Sequence, residues 1–403
     1  MDQSADLPLE RARLQFPGAH DGIYLETSAR GLIPTGARDA ALAYYDARVR
    51  GVRKEDGGVF EAVERVRGQF AALVGAEADE VTLTRNVSEG LNMIVASLPW
   101  QAGDNAIVCK DIEHPNGVYS LYNMRDRYGI EVRVAEPTAD LAMSVKGIER
   151  LMDARTRLII VSSVTFATGA RTDLESLGRV CRARGVLLLV DGAQSVGAIG
   201  LNVVESNIDA LAVGANKYLC GPYGFGFLFV RKAVAEQIRP AYLGRYSVDL
   251  GDAHEGEQGD DQYQLLRGAR RFDLGSYNYS AANAASASLD LLSRVGVPNI
   301  ERHVMALSRS LHAGLRELRI PLVSGGVEAH RSHLVLAGAR APSAELLTLM
   351  KDLAQHYSER GIRVSERHGR LRYSFHLYNT QEEVEAVVEA TRSWPRLEAC
   401  RAY

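Results

Sequence analysis

The stretch VLLLVDGAQSVG, residues 186–197, decides the fold class. Its five leading apolar residues form a run too short for a helix and unbroken by polar alternation. Such a run reads as a strand buried on both faces, as in a mainly parallel sheet. The strand ends on Asp191 and a Gly-Ala-Gln turn. A carboxylate at the C-terminal end of a sheet strand stands where α/β folds place ligands. Read alone, the same Asp is also what a turn or a helix N-cap looks like.

Outward from this strand the pattern repeats. Short apolar runs occupy residues 80–84, 106–109, 158–164, 210–213 and 226–230. Helix-patterned stretches at about 59–74, 88–96, 116–128 and 173–184 lie between several of them. Strands alternating with helices predict an α/β architecture. From about residue 286 the pattern changes to long amphipathic helices around short strands at 332–336 and 371–374, which predicts an α+β lobe. The expected organisation is an N-terminal arm (1–20), a large domain (21–284) and a small domain (285–403). The polar, Gly-rich stretch GDAHEGEQGDD, residues 251–261, reads as a solvated connecting loop.

Composition narrows the function classes. The chain has 403 residues, 46% hydrophobic and 24% charged, with a net charge of −3. These are values of an ordinary soluble globular chain, and the charge gives no reason to expect nucleic-acid or membrane attraction. No apolar run reaches the length of a membrane span, and the acidic, polar first twenty residues do not read as a signal peptide. A cytoplasmic location is the expectation. The four cysteines, at 109, 181, 220 and 400, form no C-x-x-C pair and predict neither a disulfide framework nor a metal cluster.

The chemistry is carried by a constellation. In ALAVGANKYLCGPYGFGFLFV, residues 210–230, a second apolar strand delivers Lys217 just beyond its end. Apolar and aromatic neighbours lower a lysine pKa and favour the neutral amine. Lys217 follows Asp191 by 26 positions, about one short crossover, so both strand ends open onto one edge. That pairing suits pyridoxal phosphate, an electron sink that needs an amine for its aldehyde and a carboxylate facing its protonated ring nitrogen. In TLTRNVSEGLN, residues 82–92, a strand runs into a helix start whose free amides and Ser88 hydroxyl suit a phosphate dianion. The same residues also fit a simple capping motif.

These residues resemble the class-V, fold-type-I pyridoxal-phosphate enzymes, a group including cysteine desulfurases, isopenicillin N epimerases, kynureninases and C–S lyases. The resemblance runs from about residue 24 to 387. It implies a large domain with a mainly parallel seven-stranded sheet, an α+β small domain and a homodimer with shared active sites. It implies that Lys217 carries the cofactor as a Schiff base, that Asp191 faces the ring nitrogen and that Gln194 contacts the ring hydroxyl. His114, in IEHPN, resembles the residue stacked on the ring and takes a catalytic part. Val87, Ser88 and Asn216 resemble the phosphate contacts. Ser276, in RFDLGSYNYS, resembles the segment that reaches the neighbouring subunit's cofactor, with Tyr277 and Tyr279 beside it. Arg372, in LRYSFHLYNT, resembles the clamp for the substrate carboxylate, a bidentate task suited to a planar guanidinium.

Departures from the family pattern shape the expected reaction. Desulfurases carry a nucleophilic Cys on a loop before that arginine, and GIRVSERHGR, residues 361–370, has none. Arg30, in YLETSARGLIP, stands where small or aromatic residues are common; it either reaches a second polar group of the substrate or turns to solvent. Phe166, in VTFATG, replaces the Asn of typical desulfurases. The expected reaction is β-elimination of C–S lyase type on a cysteine-derived amino acid. Decarboxylation with oxidative deamination, epimerisation and transamination stay open as other fates of the same bound amino acid. A cofactor-binding regulator is the reading from another class.

Overall fold

The computed structural model describes residues 7–53, 58–251, 263–323, 326–367 and 369–403. Thirteen strands occur among them. The first eight are β1 (Ile23–Leu25), β2 (Val81–Thr84), β3 (Asn105–Val108), β4 (Glu131–Val134), β5 (Thr156–Ser162), β6 (Leu187–Asp191), β7 (Ala210–Gly214) and β8 (Gly226–Val230). The remaining five are β9 (Val248–Asp249), β10 (Gln264–Leu265), β11 (Leu334–Ala337), β12 (Ile362–Arg367) and β13 (Arg370–Ser374).

The large sheet has seven strands in the order β2-β8-β7-β6-β5-β3-β4. Only β8 runs against the others, pairing antiparallel with both β2 and β7. The sheet is therefore mainly parallel, as the resemblance implied. Residue 186–190 burial explains the unbroken apolar run. Leu188 and Val190 face one core while Leu189 faces another on the opposite side of the sheet. Helices cover both faces, among them Ala62–Val74, Val87–Ser97, Pro115–Tyr128 and Leu174–Arg184. Their ends are set locally. Asn86 and Asp173 cap two N-termini through backbone N–H groups three residues on, Pro115 opens a third helix, and Gly75, Gly129 and Gly185 close three C-termini with left-handed φ.

The second sheet is four-stranded, in the order β1-β12-β13-β11. Here β1 pairs parallel with β12, so a strand from the head of the chain stands in the C-terminal sheet. The helix Tyr279–Val295 runs without a break through position 284/285. The helices Val297–Glu317, Ala344–Ser358 and Gln381–Arg392 belong to the same C-terminal part of the chain.

Three elements went unmarked in the sequence. Residues 131–134 form an edge strand that the apolar runs did not mark, because Glu131 and Arg133 interrupt it. Residues 35–49 form a 15-residue helix whose only buried residue is Ala37, too weakly amphipathic to stand out. Within the stretch 361–370, β12 and β13 pair antiparallel, with Arg367 opposite Arg370. Of the predicted loop at 251–261, only Gly251 lies within the described residues. Among the described residues no helix is long and apolar enough to cross a membrane.

Candidate active site

All six parallel strands of the large sheet point the same way, so their C-terminal ends share one edge. Asp191 is the last residue of β6, Ser162 the last of β5, and Lys217 follows β7 by three positions. Beyond β3 the chain reaches Glu113 and His114, the latter at the N-cap of the helix Pro115–Tyr128. At this edge lies a pocket with an empty volume of about 300 Å³. Six predicted residues line it: Val87, His114, Phe166, Asp191, Gln194 and Lys217. Asn116, Ser162 and Ala193 complete the lining and were not singled out from sequence. Larger clefts open elsewhere on the surface, but they contain none of these six residues.

The electrostatics follow from enclosure. Burial, with Arg372 and Arg367 nearby, pushes the Lys217 amine down to about 8, against the pull of Asp191. About a tenth of the amine is therefore neutral at pH 7 and about half at pH 8. Asp191 is buried, and burial raises its carboxyl despite Lys217, the Ala193 N–H and His114. Its Oδ1 accepts from the Ala193 N–H at 2.8 Å, a turn bond, while the residue also lines the pocket. Burial, Lys217 and Arg372 hold the His114 imidazole below its ordinary value. His114 Nδ1 accepts from the Asn116 N–H at 3.3 Å.

Several buried polar atoms here lack partners. Gln194 Nε2 donates to the Ser28 carbonyl at 3.1 Å, which leaves Gln194 Oε1 without a hydrogen bond. Arg372, on β13, is 1% exposed. Its Nη1 donates to the Phe166 carbonyl at 3.2 Å, while Nε and Nη2 have no partner. Burial lowers the guanidinium to about 10, so it stays charged at neutral pH. Unpaired buried groups of this kind are costly unless a ligand completes them. The free Nε and Nη2 form the side-on fork that accepts a carboxylate.

Where β2 and β7 end, the N-terminus of the helix Val87–Ser97 offers donors of a kind that suit an anion. The Asn86 side chain takes the Glu89 N–H at 2.9 Å and leaves the Val87 and Ser88 amides at the open N-terminus. A Cβ on Gly214 would come within 3.0 Å of Asn216 Oδ1 and 3.4 Å of Val87 Cγ2, so those residues flank the end of β7 together. Ser88 and Asn216 are half-buried beside the pocket.

Four more expected residues lie outside the pocket lining. Arg30 is exposed, and its carbonyl accepts the Tyr24 hydroxyl at 2.8 Å. Ser276 is exposed with a left-handed φ of 48°. Its segment is anchored by a buried ion pair between Arg67 and Asp273 at 2.9 Å. Tyr279 packs within the chain against Phe60 and Tyr44, and Tyr277 against Tyr246.

Sequence reasoning missed Glu113. It is buried, accepts from the Ser162 N–H at 2.7 Å and from the Ser162 hydroxyl, and its carboxyl is pushed up to about 7 by burial. Its position directly before His114 was the available signal.

The residues present fit pyridoxal phosphate. A dry carboxylate gains from a cationic ring N–H, a neutral amine from an aldehyde, and open helix amides from a phosphate. Comparisons with known proteins agree. The family profile for Aminotransferase class-V matches residues 23–387. A probable cysteine desulfurase of Methanothermobacter thermautotrophicus is 28% identical, over 94% of this chain and 96% of the relative. An uncharacterized aminotransferase of Bacillus subtilis, YcbU, is also 28% identical, with the same coverage of 94% and 96%. The apo structure of a cysteine desulfurase from Thermococcus onnurineus superimposes with a TM-score of 0.84 at 25% identity, covering 98% of each chain. The cystine C–S lyase C-DES, solved with cysteine persulfide, has the same fold (TM-score 0.83, 24% identity, 94% of this chain and 100% of that one). The chain belongs to the class-V aminotransferase family and is a pyridoxal-phosphate-dependent enzyme.

Proposed function

We propose that the protein is a C–S lyase that acts by β-elimination on an S-substituted cysteine or a similar β-substituted amino acid. The observation that carries this reading is the buried, unpartnered edge of Arg372, close enough to depress the Lys217 amine of a pocket that no cysteine lines. Arg372 Nε and Nη2 would bind the substrate carboxylate. Lys217 would take the proton from the substrate α-carbon. Asp191 would hold the proton on the ring nitrogen, and Val87, Ser88 and Asn216 would hold the phosphate. When bound, pyridoxal phosphate supplies the electron sink for the charge left at the α-carbon. His114 and Phe166, edge-to-face at 4.7 Å, would keep water from that carbon. Loss of the α-proton and departure of the sulfur with its bonding pair, followed by water addition, yield pyruvate, ammonia and a thiol.

The sulfur inventory supports elimination over persulfide formation. Cys109, Cys181, Cys220 and Cys400 are free and buried, and none lines the pocket. Burial pushes all four thiols up, to about 12 for Cys109 and Cys181 and about 11 for Cys400. A thiol is nucleophilic only as thiolate. By the resemblance, the stretch 361–370 corresponds to the desulfurase cysteine loop, and it carries no Cys.

The reading extends to assembly. Exposed Ser276 would complete the neighbouring subunit's phosphate site in a homodimer, and the exposed side chains of Leu42, Tyr45 and Val49 would add apolar contact area. Four free cysteines accord with a cytoplasmic location. The division proposed is an arm at 1–20, a large domain at 21–284 and a small domain at 285–403, with β1 lent to the C-terminal sheet.

The test is a panel of amino acids and S-substituted cysteines given to the purified holoenzyme, with products identified by mass. Pyruvate with a free thiol is the expected result. An aldehyde with carbon dioxide would establish oxidative decarboxylation instead, a D-amino acid epimerisation, and a keto acid without thiol release transamination. Phe166→Asn should alter the product distribution; an unchanged distribution removes Phe166 from control of the outcome.

A further inference from the structure

The backbone around Lys217 is held at three consecutive carbonyls. The Asn216 carbonyl accepts the Gly31 N–H at 2.9 Å, and the Lys217 carbonyl accepts the Cys220 N–H at 3.1 Å. The Tyr218 carbonyl accepts from His376 Nε2 at 2.8 Å. The first bond comes from the N-terminal segment and the second from the lysine's own turn. The third comes from the segment that carries Arg372, four residues before His376.

His376 is fully buried. Its Nδ1 accepts the Leu377 N–H at 2.7 Å, which places the ring proton on Nε2 and makes His376 the donor to Tyr218. Burial and the neighbouring His303 push its pKa down to about 4, so the imidazole stays neutral across the working range. Its own N–H donates to Asn379 Oδ1 at 2.8 Å, and Asn379 Nδ2 donates to the Tyr24 carbonyl at 2.9 Å and to Glu383 Oε2 at 2.9 Å. The His376 segment is thus fixed to β1 and to the capping box of the helix Gln381–Arg392.

Tyr218 has no room to drift. Its ring meets His333 edge-to-face at 4.5 Å and His376 at 5.6 Å. Gly197 has a φ of 106°, and a Cβ there would fall 2.2 Å from the Tyr218 carbonyl oxygen. The carbonyl is wedged between a glycine on one side and an imidazole on the other.

We propose that His376 is a positioning residue that locks the backbone of Lys217 to the strand carrying Arg372, so that the proton-moving amine and the carboxylate clamp hold one fixed separation. The proposal rests on the reading of Lys217 as the cofactor's anchor and Arg372 as the clamp. Substrate held at its carboxylate presents its α-carbon to the amine only if the two supports move as one, and small displacements between reacting groups cost large factors in rate.

The test uses the holoenzyme. Borohydride reduction and peptide mapping of the wild type locate the cofactor first; label on another lysine would overturn the anchor reading itself. With label on Lys217, His376→Leu removes the donor and His376→Gln replaces it with an amide donor of similar reach. In His376→Leu, kcat for an S-substituted cysteine should fall at least tenfold while KM changes less than threefold. The midpoint of the pH titration of the cofactor's visible band should move by half a unit or more. His376→Gln should restore both. A Leu variant with a lower Tm but wild-type kcat and titration midpoint would overturn the proposal and leave His376 a packing residue. If the Leu variant does not fold, the Gln variant decides. Wild-type kcat and midpoint then support the hydrogen bond, and a folded Gln variant lacking both overturns it.

Discussion

Arg372 grips Phe166 twice: Nη1 donates to its carbonyl at 3.2 Å, and the guanidinium carbon lies 5.1 Å from the centroid of its ring. One face and one nitrogen are used, and the Nε–Nη2 edge is left over. A guanidinium so pinned is preorganised for one carboxylate orientation. Arg372→Lys keeps the charge and loses the fork. Two charge-assisted hydrogen bonds at roughly 1.5–3 kcal/mol each, partly replaced by the ammonium, correspond to a loss of about 10²–10³ in kcat/KM. The loss should fall mainly on KM for the amino acid, with cofactor content unchanged by its absorbance. A variant with wild-type KM would remove Arg372 from carboxylate binding.

Lys217 makes a prediction about pH. Only the neutral amine attacks an aldehyde, and deprotonation occurs as pH rises through the pKa. Capture of pyridoxal phosphate by apoprotein should therefore accelerate with pH and level off above a midpoint near 8, the value to which burial and the neighbouring arginines push this amine. Stopped-flow absorbance measures it. A midpoint near the ordinary lysine value of 10.5 would mean that the pocket does not activate the amine.

The fold was legible where burial on both faces wrote an unbroken apolar run. All six marked runs became strands of the large sheet, because Leu188, Leu189 and Val190 each face a core. It was illegible where a strand stands at an edge or a helix lies exposed. Glu131–Val134 alternates charge with Val, and Thr35–Val49 buries only Ala37. In the site, residue types with a direct chemical meaning stood out: an amine just beyond β7, a carboxylate at the end of β6 and a guanidinium on β13. Glu113 and His376 did not, since their meaning lies in partners 49 and 158 positions away. Ser276 and Arg30 carried a family pattern to positions that this chain leaves exposed.

Gly31 shows what the crowding at Lys217 demands. A Cβ there would lie 1.9 Å from the Lys217 carbonyl oxygen, against a backbone that three hydrogen bonds hold in place. Gly31→Ala must displace one segment or the other, which by overpacking costs about 1–3 kcal/mol. The displaced lysine should also weaken cofactor binding about tenfold or more. Gly36→Ala is the control. It meets nothing within 4 Å and sits in the first turn of the helix Thr35–Val49, so it should be neutral or raise stability by up to about 1 kcal/mol. Equal behaviour of the two variants, in Tm and in cofactor titration, would show that the Gly31 contact is not tight.

Glu113 ties stability to pH. Burial raises its carboxyl from the ordinary 4.5 to about 7, against the two bonds from Ser162. Between these values the folded chain binds more protons than the unfolded one, so stability falls as pH rises and the penalty is complete above about 7. Below about 4.5 both states are protonated and the penalty vanishes. A difference of this size corresponds to on the order of 3 kcal/mol at most. Glu113→Gln removes the charge and keeps an oxygen for the Ser162 N–H. The stability of this variant relative to wild type should rise from near zero at pH 4.5 to a plateau above pH 7. Other groups titrate alike in both proteins and cancel. Denaturant unfolding of the two holoenzymes across that range gives the difference curve. A flat curve would mean that Glu113 is ionised in the folded protein throughout, and that the Ser162 bonds outweigh its burial.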